Sequence, residues 1–422
     1  MKSQLLQHVI DHYLNSGDFN GIPYSSLLEK LVIQETQIFS VLLELIAEDQ
    51  IEIMYGDYHP NPHIKAWAGK DKEGQLDKLQ NSQLLNQACV YPASKALADV
   101  SDIPEKYSGK PYSMELAFGA GQLDFRSFNL EILEMYRNDP RYHYDNDDIS
   151  GWISASDGKS DGMASSDSVY LQTFGFSYTD DFDRAVAVYV RYLHDLSPEH
   201  QQMWKAKELQ GDYKLHPDYH RNTMGHWGTK LSIFDAFTRE LEVINQMCSK
   251  MNMPNLFKET FFEEQRPREF GFLLRPTLKE FNIFVELLDK MMSQNIKKDF
   301  FRGEIDLETE QERKDGKTIV SQKGTIQLLE EWIRKLFKPE DPKPLLALFS
   351  TFKDIRRLRQ NPAHSVTENE FDQKYFKEQR HLIKKAFVAV RTIRLIFANH
   401  PMVRCDPPEI NEFLFKGEIW DF

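Results

Sequence analysis

Residues 356–366 read RRLRQNPAHSV. On both sides the pattern is helical: apolar residues recur every three or four positions over 343–360 and again over about 368–399, where Asn399-His400-Pro401 ends the run. The break between them decides the fold of this part of the chain. Asn361 is a favourable N-cap and Pro362 is favourable at the first helical position. Alternatively, the proline kinks a continuing helix. Under either reading, two long amphipathic helices meet at an irregularity that carries Arg357, Arg359, Gln360, Asn361 and His364.

Further helices are predicted over 277–298 and 324–337, the first turning Leu278, Phe281, Phe284, Val285, Leu287, Leu288, Met291 and Met292 inward. Between them lies the charged stretch GEIDLETEQERKDGKTIVSQKG, expected to be an exposed loop. Four helices with one long connection fit a four-helix bundle over 256–422.

At the other end, residues 1–67 look like a winged helix-turn-helix. Three helical patterns (Leu5 to Leu14, Leu27 to Leu31, Ile38 to Ile46) precede QIEIMYGDYHPNPHIKAW, which predicts two strands around a Gly/Pro turn. DNA reading through the third helix is opposed by charge. Lys2, Lys30 and Lys65 stand against nine acidic residues in this module, and phosphate contacts need cations. A protein-contact or structural role fits better.

Residues 70–255 form a mixed α/β middle region of unassigned role. Helices are predicted over 126–137, 182–209 and 229–252, a strand in VYLQTFGFSY, and a loop in DGKSDGMASSD at 157–167. The expected fold class is therefore mainly α, with α+β character in the N-terminal half.

Composition sets the outer limits. With 41% hydrophobic and 28% charged residues, the chain is of ordinary globular type. No apolar run reaches the length of a membrane span, and MKSQLLQHVIDHYL is not a signal peptide because polar residues interrupt it at helical spacing. Cys89, Cys248 and Cys405 are scattered, which predicts a reduced, cytoplasmic protein with no membrane partner. The net charge of −13 argues against nucleic-acid binding by the whole surface. It is unevenly spread. Residues 320–405 hold 9 Lys and 8 Arg against 9 acids, a net +8 that leaves −21 for the rest. A basic module on an acidic protein suits a focused polyanion site, although long helices also carry solvated cations for no functional reason.

Within that module, His364 is the side chain whose charge changes near neutral pH, and Arg359 presents a planar, permanently charged fork suited to a phosphodiester. Together they suit metal-free RNA cleavage. The histidine would take the ribose 2′-OH proton or protonate the leaving 5′ oxygen, and the arginine would stabilise charge on phosphorus. Spacing alone is weak evidence, since Arg137/His143, Arg221/His226 and Arg394/His400 are similar. Context sets 359/364 apart: it lies between two long helices in the basic module.

RRLRQNPAH between amphipathic helices resembles the HEPN superfamily, whose motif is Arg, a polar residue, three to five further residues, then His. Gln360 supplies the polar residue. Arg357, with six intervening residues, is an alternative first position. The resemblance implies metal-independent endoribonuclease activity on an RNA substrate without cofactor, often in toxin or antiviral defence systems. It also implies a homodimer whose C-terminal bundles bring two motifs together. The N-terminal half would then restrain the enzyme or sense a protein trigger or inhibitor. Some members only bind, so a non-catalytic RNA- or protein-binding module is one alternative. A winged-helix transcription regulator is another.

Other constellations weigh less. HPNPH at 59–63 reads as a rigid turn rather than a zinc site. His216, His220 and His226, with Asp212 and Asp218, form a loose cluster for a metal hydrolase, but no metal is expected. Trp204 and Trp227 read as core rather than base-stacking platforms. FGAGQ at 118–122 lacks the third glycine of a dinucleotide fingerprint.

Overall fold

The computed structural model describes residues 1–31, 35–57, 59–67, 71–81, 85–156, 163–164, 166–262, 265–312, 318–360 and 368–422. The protein is α+β and mainly helical, and divides into two compact units, Met1–Gly228 and Thr229–Phe422. No helix among the described residues is long and apolar enough to cross a membrane.

The first unit begins with α1 (Lys2–Asn15), α2 (Tyr24–Leu31) and α3 (Glu35–Ala47). The helical spacing of Leu5, Val9 and Leu27, and of Ile38, Val41, Leu42 and Leu45, places these residues in one core. The helices pack with an antiparallel sheet of β1 (Ile22–Pro23), β2 (Ile51–Met54) and β3 (Cys89–Pro92), with β3 in the middle. The sequence placed the partner of β2 just after the Gly/Pro turn, and this is corrected. Residues 59–67 contain no strand. Pro60 and Pro62 lack ladder donors, and the segment closes as a turn. The Asn61 amide donates to His59 Nδ1 (3.1 Å) and the His63 amide to Asn61 Oδ1 (3.0 Å). The free edge of β2 is occupied by a side chain from α4 (Lys72–Asn81). The Ile53 amide donates to Gln75 Oε1 at 3.0 Å, and Gln75 Nε2 donates to the Ile53 carbonyl at 3.3 Å. One side-chain amide thus does what a neighbouring strand would do.

The rest of this unit is built on an antiparallel sheet of β4 (Phe125–Phe128), β5 (Tyr142–Asn146), β6 (Ser150–Ala155), β7 (Tyr170–Tyr178) and β8 (Arg184–Tyr189), in the order β4-β8-β7-β6-β5. A short β9 (Lys214–Leu215) pairs with the end of β7. The predicted strand appears as β7, but two predicted helices do not survive. Phe125–Phe128 pairs with Val186–Tyr189, and the Ser127 and Ser177 hydroxyls bond across the sheet at 2.8 Å. Residues 126–137 therefore start as a strand and turn helical only after Asn129, whose side chain accepts from the Glu131 amide. Residues 182–209 split into β8, a short turn of helix, and α5 (Pro198–Lys205), which Ser197 caps. An apolar run such as Ala185 to Val188 fits either a buried strand or a buried helix by periodicity. Of the loop predicted at 157–167, residues 157–162 and 165 lie outside the described residues.

The second unit contains α6 (Ile233–Lys250), α7 (Leu278–Met291), α8 (Thr325–Leu336), α9 (Lys343–Gln360) and α10 (Lys374–Ala398). Ser232 and Thr277 cap α6 and α7 through their hydroxyls. α6 packs along α10, α10 on α9, and α9 on α7, around a shared core that includes Phe234, Phe284, Phe352, Ile383 and Val390. Helix α6, which the sequence assigned to the middle region ending at 255, falls in this unit because its apolar face lies against α10. The Arg394 guanidinium of α10 donates to the Glu240 carboxylate of α6, both buried. The predicted helix 277–298 stops at Met291. Beyond it Asn295 exchanges hydrogen bonds with the Glu259 backbone, taking the chain out of helical geometry. Thr229–Phe422 also contains β10 (Leu231–Ser232). The charged stretch predicted as a loop is partly a two-stranded ribbon, β11 (Glu308–Glu312) with β12 (Thr318–Gln322). Finally, β13 (Ile419–Trp420) runs parallel to β10.

Candidate functional site

Helix α9 ends in Arg356-Arg357-Leu358-Arg359-Gln360. Its buried residues Leu345, Leu348, Phe352 and Ile355 step by three and four along one face, and Arg359 is the next position in that series. Arg356 follows Phe352 by one turn. Both arginines therefore turn toward α7, whereas Arg357, roughly 100° around the helix, turns away.

On α7 they meet Asp289, which is fully buried and lies one turn past Val285 on the apolar face. Arg359 Nη1 donates to Asp289 Oδ2 at 3.2 Å, and Arg356 Nε lies 3.8 Å from Oδ1. The Ser293 hydroxyl donates to Oδ1, and Gln294 Nε2 donates to Oδ2 at 3.1 Å. Ser293 Oγ also accepts from Arg356 Nη2 at 3.1 Å, so it links carboxylate and guanidinium. A buried charge needs this kind of saturation, because unpaired desolvation costs several kcal/mol or more. The arginine side chains remain 30% (Arg356) and 38% (Arg359) exposed. Beside them Glu286 is held below the ordinary carboxylate range, first by Lys290 at 2.7 Å and more weakly by Arg359. Lys290, Arg356 and Arg359 against Glu286 and Asp289 leave one positive charge in excess.

The other predicted site residues fall as follows. Arg357 is 72% exposed and pairs with Asp354 of its own helix at 2.8 Å. Gln360 is exposed at the last helical position. Asn361 and His364 lie outside the described residues. Sequence reasoning missed Asp289 and Ser293. The signal was available: an acid on the apolar stripe of a helix marks a buried counter-charge. Of the competing pairs, Arg394 is only 3% exposed and committed to Glu240, and Arg221 Nε reaches the Trp227 carbonyl at 3.4 Å.

The remaining candidates resolve into structural roles. His216 is buried, and its Nδ1 accepts from the Asp218 amide at 3.2 Å, capping a short helix. Burial, aided by Arg184 and opposed by Asp218, lowers its pKa to about 4. Cys89 lies 3.6 Å from His63 Nδ1, but burial pushes the thiol up to about 12, away from nucleophilic use. Among the described residues no group of three or more His, Cys, Asp or Glu side chains is placed to hold a metal ion. Lys65 is buried, 3.3 Å from Glu52, and donates to the Gly119 carbonyl at 3.0 Å. Lys2 pairs with Glu44 of α3 and with Glu48 just past its end. Two of the three cations in residues 1–67 are thus committed within the unit. Trp204 is core, as expected, but Trp227 is 91% exposed. It sits in the turn after the helix Pro217–Thr223, where Gly225 takes φ 78° and Arg221 holds the backbone of Trp227 rather than its ring.

Comparison with protein-family models, with curated proteins and with solved structures finds no match to this chain.

Proposed function

We propose that the protein is a metal-independent endoribonuclease whose C-terminal unit is a HEPN-like bundle, acting in the cytoplasm as a toxin or antiviral defence effector. The observation that carries this reading is Arg359. It lies in the last turn of α9, two residues before the segment that holds Asn361 and His364, and a buried carboxylate of α7 fixes its guanidinium. In this reading His364 removes the 2′-OH proton. The 2′ oxygen attacks the adjacent phosphorus, and the bond to the 5′ oxygen breaks as that oxygen takes a proton from solvent water, whose hydroxide then discharges the imidazolium. The ends are a 2′,3′-cyclic phosphate and a 5′-hydroxyl. Arg359 balances the charge that builds on the non-bridging oxygens. The substrate's own hydroxyl is the nucleophile, so no metal-bound water is required.

Two C-terminal units would pair, each contributing one motif to a shared cleft. The N-terminal unit, with its winged-helix-like module at residues 1–67, would hold the activity in check until a protein partner binds. The commitment of Lys2 and Lys65 supports protein contact over DNA reading for that module.

One observation favours a second reading, a non-catalytic RNA- or protein-binding bundle: Arg359 is already engaged by Asp289, as a purely structural arginine would be. Labelled RNA incubated with the full chain in EDTA separates the two. Cleavage to cyclic-phosphate ends that His364→Ala lowers by about 10²–10⁴-fold supports the enzyme. RNA binding by both proteins with cleavage by neither supports the binding module.

A further inference from the structure

Asp289 is an odd choice for the interior of a helical unit. Apolar residues of similar volume would serve folding as well or better, because desolvating a carboxylate offsets much of what its partners return. Its partners divide into two groups. Ser293 and Gln294 follow it in the chain and satisfy it locally. Arg356 and Arg359 come from another helix and stay partly open to solvent. Two guanidiniums three residues apart repel unless a counter-ion sits between them. Asp289 fills that position from below. It cancels one of the two charges and leaves one, which matches a phosphodiester monoanion. Arg357 lacks this support and is tied to Asp354 on the opposite side.

We infer that Asp289 is a positioning residue, holding Arg356 and Arg359 as a paired clamp for the non-bridging oxygens of one RNA phosphodiester, with Arg357 outside it. This rests on the proposed action on RNA, and it adds Arg356 to the site. Ser293 completes the device. Its hydroxyl donates to Asp289 and accepts from Arg356, so it orients the second guanidinium through the first carboxylate. Each guanidinium keeps N–H groups beyond those used here, since arginine carries five and, among the described residues, Arg359 and Arg356 each make one hydrogen bond.

The test uses the full chain and a short fluorescein-labelled oligonucleotide with 2′-O-methyl riboses, which binds as RNA but offers no nucleophile. Asp289→Asn keeps the shape and removes the charge. Taking a negative charge away from a merely electrostatic surface would tighten binding. Loss of a positioning residue weakens it instead, by about tenfold, the scale of one charge-assisted hydrogen bond. Arg356→Ala and Arg359→Ala should each weaken binding by a similar factor, and Arg357→Ala by less than about twofold. In the Arg356→Ala/Arg359→Ala background, Asp289→Asn should add no further loss, whereas a general structural defect would add its full effect. If Asp289→Asn unfolds the chain, Ser293→Ala probes the same device more gently and should match Arg356→Ala. Tighter or unchanged binding by a folded Asp289→Asn or Ser293→Ala variant overturns the inference, as does a wild-type chain that does not bind the oligonucleotide. Binding with this mutational pattern, but no cleavage of ordinary RNA, would leave the clamp standing and remove the ribonuclease reading.

Discussion

Two buried carboxylates in the C-terminal unit each hold arginine, and they differ in how far those arginines reach solvent. Glu240 and Arg394 are sealed together between α6 and α10, with Arg394 3% exposed. Asp289 is equally buried, but its arginines sit at the end of α9, more than a quarter exposed. Solvent access separates them. In the sealed pair both charges are spent on each other, and the pair fixes how two helices pack. In the open cluster the carboxylate consumes one charge and directs the rest outward. The contrast teaches that an ion pair in a helical core is not itself a sign of function. A helix end, partial exposure and a surplus charge are what make one usable.

The sealed pair gives the largest expected change in stability. Arg394→Met alone strands a charged Glu240 in the core and should cost about 3–5 kcal/mol in denaturant unfolding. Adding Glu240→Leu should restore most of that. Neither change should alter oligonucleotide binding. Loss of binding in the folded double variant would erase the distinction between the two clusters.

The N-terminal unit offers the matching case of burial acting on a histidine. His216 has a folded-state pKa of about 4 against an ordinary value near 6.5. Between those values the unfolded chain binds the proton and the folded chain does not, so stability falls as pH falls. The contribution is fully present above about pH 6.5, and roughly 3 kcal/mol of it is lost on the way to pH 4. His216→Asn keeps an acceptor for the Asp218 amide and removes the titration. Unfolding curves taken across that range should show a flatter pH profile for the variant. An unchanged profile would reassign the acid sensitivity to another group.

How much of this was visible beforehand depends on how local each signal is. The α9 and α10 helices were legible because their apolar spacing and end signals lie within each segment. The side to which Arg359 turns is local in the same way, since it continues the Leu345, Leu348, Phe352, Ile355 series. The strand Ile51–Met54 was legible too, but its pairing was not, because β2 pairs with a strand beyond α4 and its other edge is closed by the side chain of Gln75. No local pattern encodes either partner. Residues 126–137 and 182–209 were misread for a related reason: short apolar runs suit strand and helix alike, and only the pairing of β4 with β8 decides between them. Asp289 carried a local signal, an acid on an apolar stripe, but naming Arg356 and Arg359 as its partners needed knowledge that α7 faces α9. His364 and Asn361 stay at the level of sequence, outside the described residues.

The open cluster itself is probed by smaller stability changes. Arg359→Ala leaves Asp289 with Ser293, Gln294 and Arg356, so the carboxylate is weakened rather than stranded. Given the exposure of Arg359, a stability loss of about 1 kcal/mol is expected, well below that of Arg394→Met, while oligonucleotide binding falls about tenfold. That inversion, with less stability lost and more binding lost, is the signature of a usable ion pair.

Arg357→Ala removes a surface pair within one helix and should shift stability by less than about 0.5 kcal/mol and leave binding nearly intact. Arg357 is the internal control because it sits in the same turn and carries the same charge. If Arg357→Ala weakened binding as much as Arg359→Ala, charge density at the helix end would explain recognition. The buried carboxylate that distinguishes the neighbouring arginines would then have no part in it.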